Sequence, residues 1–227
     1  MGELYIVATP IGNLEDITLR ALRVLKEVEV ILCEDTRVTK KLLGRYGITT
    51  PTLSYHSHSG LTKVEKVFGF LEEGKNLALV SDAGTPGISD PGSLLVSKIR
   101  ERFKGDVAIV PIPGPNAAVA ALSASGLPAS DFLFLGFLPH KKGRETLFKE
   151  IAESKRTVVF YESPHRIMKT LASLAKHLPG TRRIGIAREL TKIHEEMRQG
   201  SAAELLTYFT EHADTVRGEF TVLVEGA

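Results

Sequence analysis

Residues 79–92, LVSDAGTPGISDPG, constrain the fold of this chain more than any other stretch. They continue an apolar run, Leu77-Ala78-Leu79-Val80, that reads as a buried strand. Three glycines (Gly84, Gly87, Gly92) and two prolines (Pro86, Pro91) then crowd into nine residues. Glycine admits positive φ and lets another group approach the backbone, whereas proline fixes φ and stiffens a turn. Leu94, Leu95, Val96 and Ile99 recur at helical spacing just afterwards, so the stretch joins a strand to a helix. A purely structural connection of this kind is shorter and carries less glycine and proline. Ligands in open α/β sheets bind at the carboxyl ends of strands, so the stretch predicts a ligand loop on an α/β fold.

The rest of the first half repeats the alternation. Residues 4–8, 30–33 and 50–53 read as short apolar strands. Asp16 or Thr18 can cap a helix carrying Leu22, Leu25 and Val28, and Thr36 one carrying Lys40, Lys41, Leu42, Leu43 and Arg45 that stops at Gly47. Val64, Val67, Phe68 and Leu71 share a face of the next helix, and 93–103 and 107–110 supply another helix and strand. Pro111-Ile112-Pro113-Gly114-Pro115 breaks the rhythm. It divides an N-terminal α/β domain, 1–112, which carries the loop and a substrate-facing site, from a C-terminal α/β domain, 113–227. The second half reads as a small-residue helix over 117–125, strand 132–135 and the polar loop Pro139-His140-Lys141-Lys142-Gly143-Arg144. Helix 145–154, strand 157–161, a helix over 165–177 opened by Pro164, and strand 183–187 come next. A polar stretch, helix 202–212 and strand 220–225 complete it. Such alternation implies parallel strands with right-handed crossovers, and a ligand held between the halves.

Several function classes are excluded. An apolar fraction of 43% with 25% charged residues is that of an ordinary globular chain. Of the basic and acidic residues, 14 and 14 precede Pro113 and 15 and 13 lie from there on. Neither half is a polycation, so nucleic-acid binding has to come from local clusters. Cys33 is the only cysteine, and no zinc spacing or metal set is present. No apolar run approaches the ~18 residues of a membrane span, and the amino terminus enters a strand directly, so a cytoplasmic, membrane-free protein is expected. GxGxxG, GxxxxGK[ST], GxSxG and HExxH are absent; His194-Glu195-Glu196-Met197 lacks the second histidine.

What remains is four polar clusters at the carboxyl ends of expected strands: Glu34-Asp35-Thr36-Arg37, 81–90, 162–166 and 188–192. On one parallel sheet those ends would share a side. The segments VATPIGN (7–13), CEDTR (33–37), 80–92, PIPGPNAA (111–118) and FYESPHR (160–166) together resemble the tetrapyrrole-methylase-type methyltransferases. Within that family they are most similar to the branch acting on small-subunit ribosomal RNA. The resemblance runs from the first strand to the last. It implies two αβα domains of the class III methyltransferase type, S-adenosylmethionine in the interdomain cleft, and a homodimer. The implied reaction is methyl transfer to the 2′-oxygen of a cytidine ribose in the decoding region of 16S rRNA, on the small ribosomal subunit.

The family's cofactor loop has a Gly-Asp-Pro core, which here is Gly84-Thr85-Pro86, a departure shared by the rRNA branch. By resemblance, Pro10 and Ile11 border the cofactor, Gly84, Thr85 and Ile88 contact it beside Asp82, and Asn116, Ala117, Tyr161 and Ala187 close the other side. A loop rich in free N–H groups and small residues suits such a folded ligand, with the sulfonium beside carbonyls or carboxylates. Catalysis at a ribose hydroxyl rests on positioning and proton removal. Glu34, Asp35, Asp82, Glu162, His165 and Glu189 are candidate bases or orienters, while Arg37, Arg166 and Arg188 suit phosphates. The corner formed by Glu34, Asp35 and Arg37 is the favoured catalytic site; a capped helix with an Asp–Arg pair is its alternative reading.

Arg37, Lys40, Lys41 and Arg45 on one helix, with Lys141, Lys142 and Arg144 in the polar loop, are the expected RNA-binding residues. His56 and His58 could stack on or hydrogen-bond to a base. Two other readings stay open: a methyltransferase of this fold acting on a cyclic tetrapyrrole, and a ribosome-binding protein without catalysis. The Thr85 departure and the 33–37 run oppose the first, and the Gly/Pro loop opposes the second.

Overall fold

The apolar runs of the first half lie side by side in the computed structural model, which describes residues 1–56, 60–90 and 92–227. His58 and Pro91 therefore fall outside the described residues. The chain divides into two units, Met1–Asn116 and Ala117–Ala227.

In the first unit β1 (Leu4–Val7), α1 (Leu19–Glu27), β2 (Val30–Cys33), α2 (Thr36–Arg45), β3 (Thr52–Ser54), α3 (Leu61–Glu72), β4 (Leu77–Leu79), α4 (Gly92–Phe103) and β5 (Ile109–Ile112) follow one another. Their five strands form a parallel sheet in the order β3-β2-β4-β1-β5. Strands buried on both faces carry apolar residues at successive positions, which is why they read as unbroken runs. Ile31, Cys33, Ala78 and Val80 pack under α1 and α2, while Leu32, Leu77 and Leu79 pack under α3 and α4. Thr18 caps α1 by accepting the Ala21 N–H at 3.0 Å. The cap of α2 is Asp35 rather than Thr36, which is already helical. Strand β5 runs through Pro111 instead of ending before it. Among the described residues it pairs only with β1, and an edge strand tolerates a residue without an N–H.

The second unit contains α5 (Ala117–Ala124), β6 (Phe132–Phe137), α6 (Arg144–Glu153), β7 (Thr157–Glu162), α7 (Ile167–His177), β8 (Ile184–Arg188), β9 (Glu196–Gly200), α8 (Ala202–Glu211) and β10 (Phe220–Val224). Its sheet order is β6-β7-β10-β8-β9. The expected parallel pairing holds only for β6 and β7; β10 inserts antiparallel between β7 and β8, and β9 is antiparallel to β8. Helices α6, α7 and α8 bury Phe148, Leu171 and Phe209 against one face. The small residues of α5, Ala118 and Ala121, let it lie close on the other, over Val159, Ala187 and Leu223. Pro164 sits in a turn before α7, whose cap is Arg166. The four polar clusters accordingly lie on two sheets, two clusters on each.

Candidate active site

The carboxyl edge of the first sheet is built on the glycine-rich loop. Thr9 and Gly84 exchange both backbone hydrogen bonds, at 2.9 and 3.1 Å, which fastens the loop to the end of β1. The Thr9 hydroxyl donates to the Ser81 carbonyl at 3.1 Å, and the Thr85 hydroxyl to the Pro115 carbonyl at 3.1 Å. Gly84 sits at φ +79°, where a side chain is strained, and its missing Cβ would lie 3.5 Å from Ile11 Cγ2 and 3.7 Å from the Pro115 oxygen. A Cβ on Gly114 would come within 2.9 Å of Ala8 Cβ, so only glycine lets the segment after β5 run against β1. Asp90 Oδ1 accepts the N–H groups of Gly87 and Gly92, both at 2.7 Å. The Ile88 N–H is turned onto the Thr85 carbonyl.

The N–H groups of Gly84, Gly87, Ile88 and Gly92 are spent inside the loop and its support. A segment with this much glycine holds one shape only if its own backbone groups are tied together. Outward it presents Ile88, 46% exposed, together with exposed Asp82, Ala83 and Ser89.

Acids gather at the ends of β2 and β4. Asp82 Oδ1 accepts the Asp35 N–H at 3.1 Å. Burial raises the Glu34 carboxyl above the usual carboxylate range, and the negative charges of Asp90 and then Asp82 raise it further. Asp35 behaves oppositely: hydrogen bonds from the Arg37 side chain and backbone hold it at about 2. Arg37 chelates it through Nε at 3.0 Å and Nη2 at 2.6 Å, so Asp35 and Arg37 form the alternative arrangement, a helix cap with an ion pair. A carboxylate held so low is a poor proton acceptor, and Glu34 is the remaining member of that corner.

A cavity of about 140 Å³ opens beside this edge, walled by Pro10, Leu14, Val38 and Leu42, with Lys41 and Asp82 among its lining. It exceeds the ~30 Å³ share of a water and falls below the ~300–1,000 Å³ of sites for drug-sized ligands. Thr39, in the same wall, has a buried hydroxyl that finds no geometrically good hydrogen bond among the described residues. The cavity has no signal in the sequence: Val38 and Leu42 stand four residues apart on α2, the spacing of any core stripe, yet Val38 is 40% exposed. Cys33, beneath, is a buried thiol pushed up by that burial, as expected of a core residue.

Charged residues of the second unit are mostly matched to one another. Arg144, expected in the RNA set, is instead drawn inward: it bonds Glu162 Oε2 at 2.8 Å, the Thr170 hydroxyl at 2.6 Å and the Pro139 carbonyl at 3.0 Å. Glu162 is buried and also holds Arg166 Nε at 2.7 Å, so these candidates for proton transfer and phosphate binding form an internal clamp. Arg188 is tied to Glu196 at 3.1 Å, and Glu189 to Lys192 at 2.7 Å. Burial pushes Glu189 up, but hydrogen bonds from Lys192 and the Glu219 N–H outweigh it and leave the carboxyl low. Tyr161 packs between Phe134 and Phe137, its phenol raised by burial. Ala187, 1% exposed, offers no side-chain surface to a ligand. Lys40, Lys41, Arg45, Lys141 and Lys142 are exposed, as is His165.

Comparison with known proteins identifies the family and the fold. The family described as Tetrapyrrole (Corrin/Porphyrin) Methylases matches residues 3–206. The chain is 51% identical to the Ribosomal RNA small subunit methyltransferase I of Halalkalibacterium halodurans, over 99% of this chain and 76% of that one. It is 45% identical to the protein of that name from Thermotoga maritima, over 100% and 99%. Among solved structures, the methyltransferase CobJ superposes with a TM-score of 0.73 at 20% identity, covering 100% of this chain and 95% of the other. Uroporphyrin-III C-methyl transferase from Thermus thermophilus, complexed with S-adenyl homocysteine, gives 0.66 at 18%, covering 99% and 97%.

Proposed function

The chain belongs to the tetrapyrrole (corrin/porphyrin) methylase family, and on that premise we propose that it methylates the 2′-oxygen of a cytidine ribose in the decoding region of 16S rRNA, using S-adenosylmethionine. The observation that carries the reading is 45–51% identity, along nearly the whole chain, to relatives whose names specify the small-subunit rRNA. The structural neighbours, at 18–20% identity, share the fold alone.

The residues of the first unit fit the cofactor. Gly84 leaves a corner open between Ile11 and the Pro115 carbonyl, where a Cβ would stand. The acids that raise Glu34 make the edge favourable for a cation such as a sulfonium. Pro10, Ile11, Gly84, Thr85 and Ile88 form this wall of the proposed seat; Asn116, Ala117 and Tyr161 remain proposed contacts. S-adenosylmethionine supplies the electrophilic methyl group.

The chain's own part is positioning and proton removal. Glu34, with its raised carboxyl, accepts the ribose hydroxyl proton, because a base works best when its pKa approaches the working pH. Asp35 and Arg37 hold the first turn of α2, and the Asp82 carboxylate fixes the Asp35 N–H. Lys40, Lys41 and Arg45 on α2, with Lys141 and Lys142, bind phosphates; Arg144 and Arg166 hold the carbonyls of Pro139 and Leu138 and so fix the base of that lysine loop. A homodimer acting in the cytoplasm on assembled small subunits belongs to the same proposal.

The test is transfer of labelled methyl from S-adenosylmethionine, offered in parallel to unmethylated small subunits and to a tetrapyrrole precursor. Label on a ribose 2′-oxygen of the rRNA is expected. Label in the macrocycle alone overturns the substrate, and no label with no cofactor binding overturns the activity.

A further inference from the structure

We propose that the cavity beside Pro10 seats the base of the target cytidine, with Asp82 and Lys41 reading its Watson–Crick edge. The proposal rests on the rRNA-methyltransferase reading and adds the origin of base selectivity to it. Proteins that act on RNA nucleotides draw an unstacked base into an apolar slot and read its edge with a few polar groups. Here Pro10, Leu14, Val38 and Leu42 supply apolar walls, and about 140 Å³ leaves room for an aromatic ring.

The polar groups match one base. Asp82 spends Oδ1 on the Asp35 N–H, and its other oxygen has no hydrogen bond among the described residues. Lys41 makes no ion pair among the described residues. Cytosine offers an amino donor at N4 and acceptors at N3 and O2, so a carboxylate and an ammonium meet complementary atoms. Uracil would set its O4 against the carboxylate and its N3–H against the ammonium. Lys40 and Arg45, exposed on the same helix, are placed to take the flanking phosphates. The amino-acid end of S-adenosylmethionine also carries one ammonium and one carboxylate that Asp82 and Lys41 would match, so cofactor affinity is the discriminating readout.

The experiment compares the full-length protein with Asp82→Asn and Val38→Phe on reconstituted small subunits carrying C or U at the methylated position. S-adenosylmethionine affinity is measured by calorimetry in parallel. An asparagine keeps an acceptor for the Asp35 N–H and turns a donor toward O4. The ratio of kcat/KM for C over U should therefore fall about 5- to 150-fold, a ratio that is independent of any loss of cofactor affinity from the removed charge. Val38→Phe, at a part-exposed position, fills the slot: methyl transfer should be lost while cofactor binding and unfolding stay near wild type. An unchanged ratio in Asp82→Asn overturns the assignment. So does weakened cofactor affinity in Val38→Phe, which would give the cavity to the methionine end. If the wild type methylates neither subunit, the underlying reading falls and this assignment with it.

Discussion

Replacing Asp90 with asparagine, and separately with alanine, disentangles the shape of the loop after β4 from its charge. One carboxylate oxygen accepts two backbone N–H groups at 2.7 Å, so the side chain staples Gly87 to Gly92. A hydrogen bond to a charged group contributes about 1.5–3 kcal/mol. With both bonds on one oxygen of a half-buried side chain, the lower figure applies to each, and Asp90→Ala should cost about 3 kcal/mol. Asparagine keeps an acceptor in place with neutral bonds of roughly half the strength, so its cost should be about 1.5 kcal/mol. The charge acts elsewhere: after burial, Asp90 is the largest cause of the raised Glu34 carboxyl. An acid whose pKa is raised is charged only at higher pH, so activity that needs the Glu34 carboxylate has an acid limb above the usual carboxylate range. Removing the Asp90 charge lowers that pKa and moves the limb to lower pH. The assay is the pH profile of kcat/KM for methyl transfer, beside urea unfolding fitted with a separate transition for each unit. An acid limb that stays put in Asp90→Asn, in a protein whose unfolding shows the modest loss worked out above, would refute Glu34 as the proton acceptor.

Four further substitutions bear on stability. Gly114→Ala forces a methyl to 2.9 Å from Ala8 Cβ and should cost about 1–3 kcal/mol in urea unfolding, whereas Gly44→Ala, in α2 with open space around it, should gain about 0.5–1 kcal/mol. Glu162→Ala leaves Arg144 and Arg166, 13% and 16% exposed, without their buried partner, and should destabilise by about 3–5 kcal/mol. The Asp35 carboxyl, at about 2 against an ordinary 3.8, contributes stability that is present above the ordinary value and lost as pH falls through the folded one. Asp35→Asn should therefore flatten the stability curve between about pH 4 and pH 2 in an acid titration followed by circular dichroism.

The first sheet was legible because of how its strands are buried. A parallel strand covered on both faces repeats apolar residues without a gap, and β1, β2 and β4 do so. The polar stretch before α8 conceals β9 for the converse reason. It is an edge strand, EMRQG, whose polar side chains are taken up by Arg188 and Tyr208 rather than by a core. Strand direction has no local signature, so nothing in residues 220–224 announces that β10 enters antiparallel between β7 and β8. At the loop, composition marked the place but not the use of its atoms. Asp90, Ser81 and Thr9 look like free polar groups in sequence, and in the structure they bond backbone within their own corner. The cavity was illegible because its walls are apolar residues whose exposure depends on what packs over them.

The two sheets spend charge in different ways, and the difference locates the chemistry. In the second unit Glu162 is met by two arginines, Glu196 by Arg188 and Arg198, and Lys192 by Glu189 and Glu219. Such matching fixes geometry: the Lys192 contacts support a turn in which Glu189 and Thr191 both take positive φ, 49° and 66°. A group held this way has little left to offer a reactant, since moving it exposes a buried partner charge. At the carboxyl edge of the first sheet Glu34, Asp82 and Asp90 accumulate beside Asp35, and among the described residues only Asp35 of these acids is matched to an arginine; burial and then repulsion from Asp90 and Asp82 raise the Glu34 carboxyl. Unbalanced charge of one sign at the carboxyl edge of a sheet costs stability, and it raises affinity for a cation there. The first unit bears that cost at the edge where its glycine-rich loop is most tightly tied. A sulfonium cofactor is the ligand that would relieve it, so cofactor binding should itself lower the Glu34 pKa and shift the acid limb of activity with it.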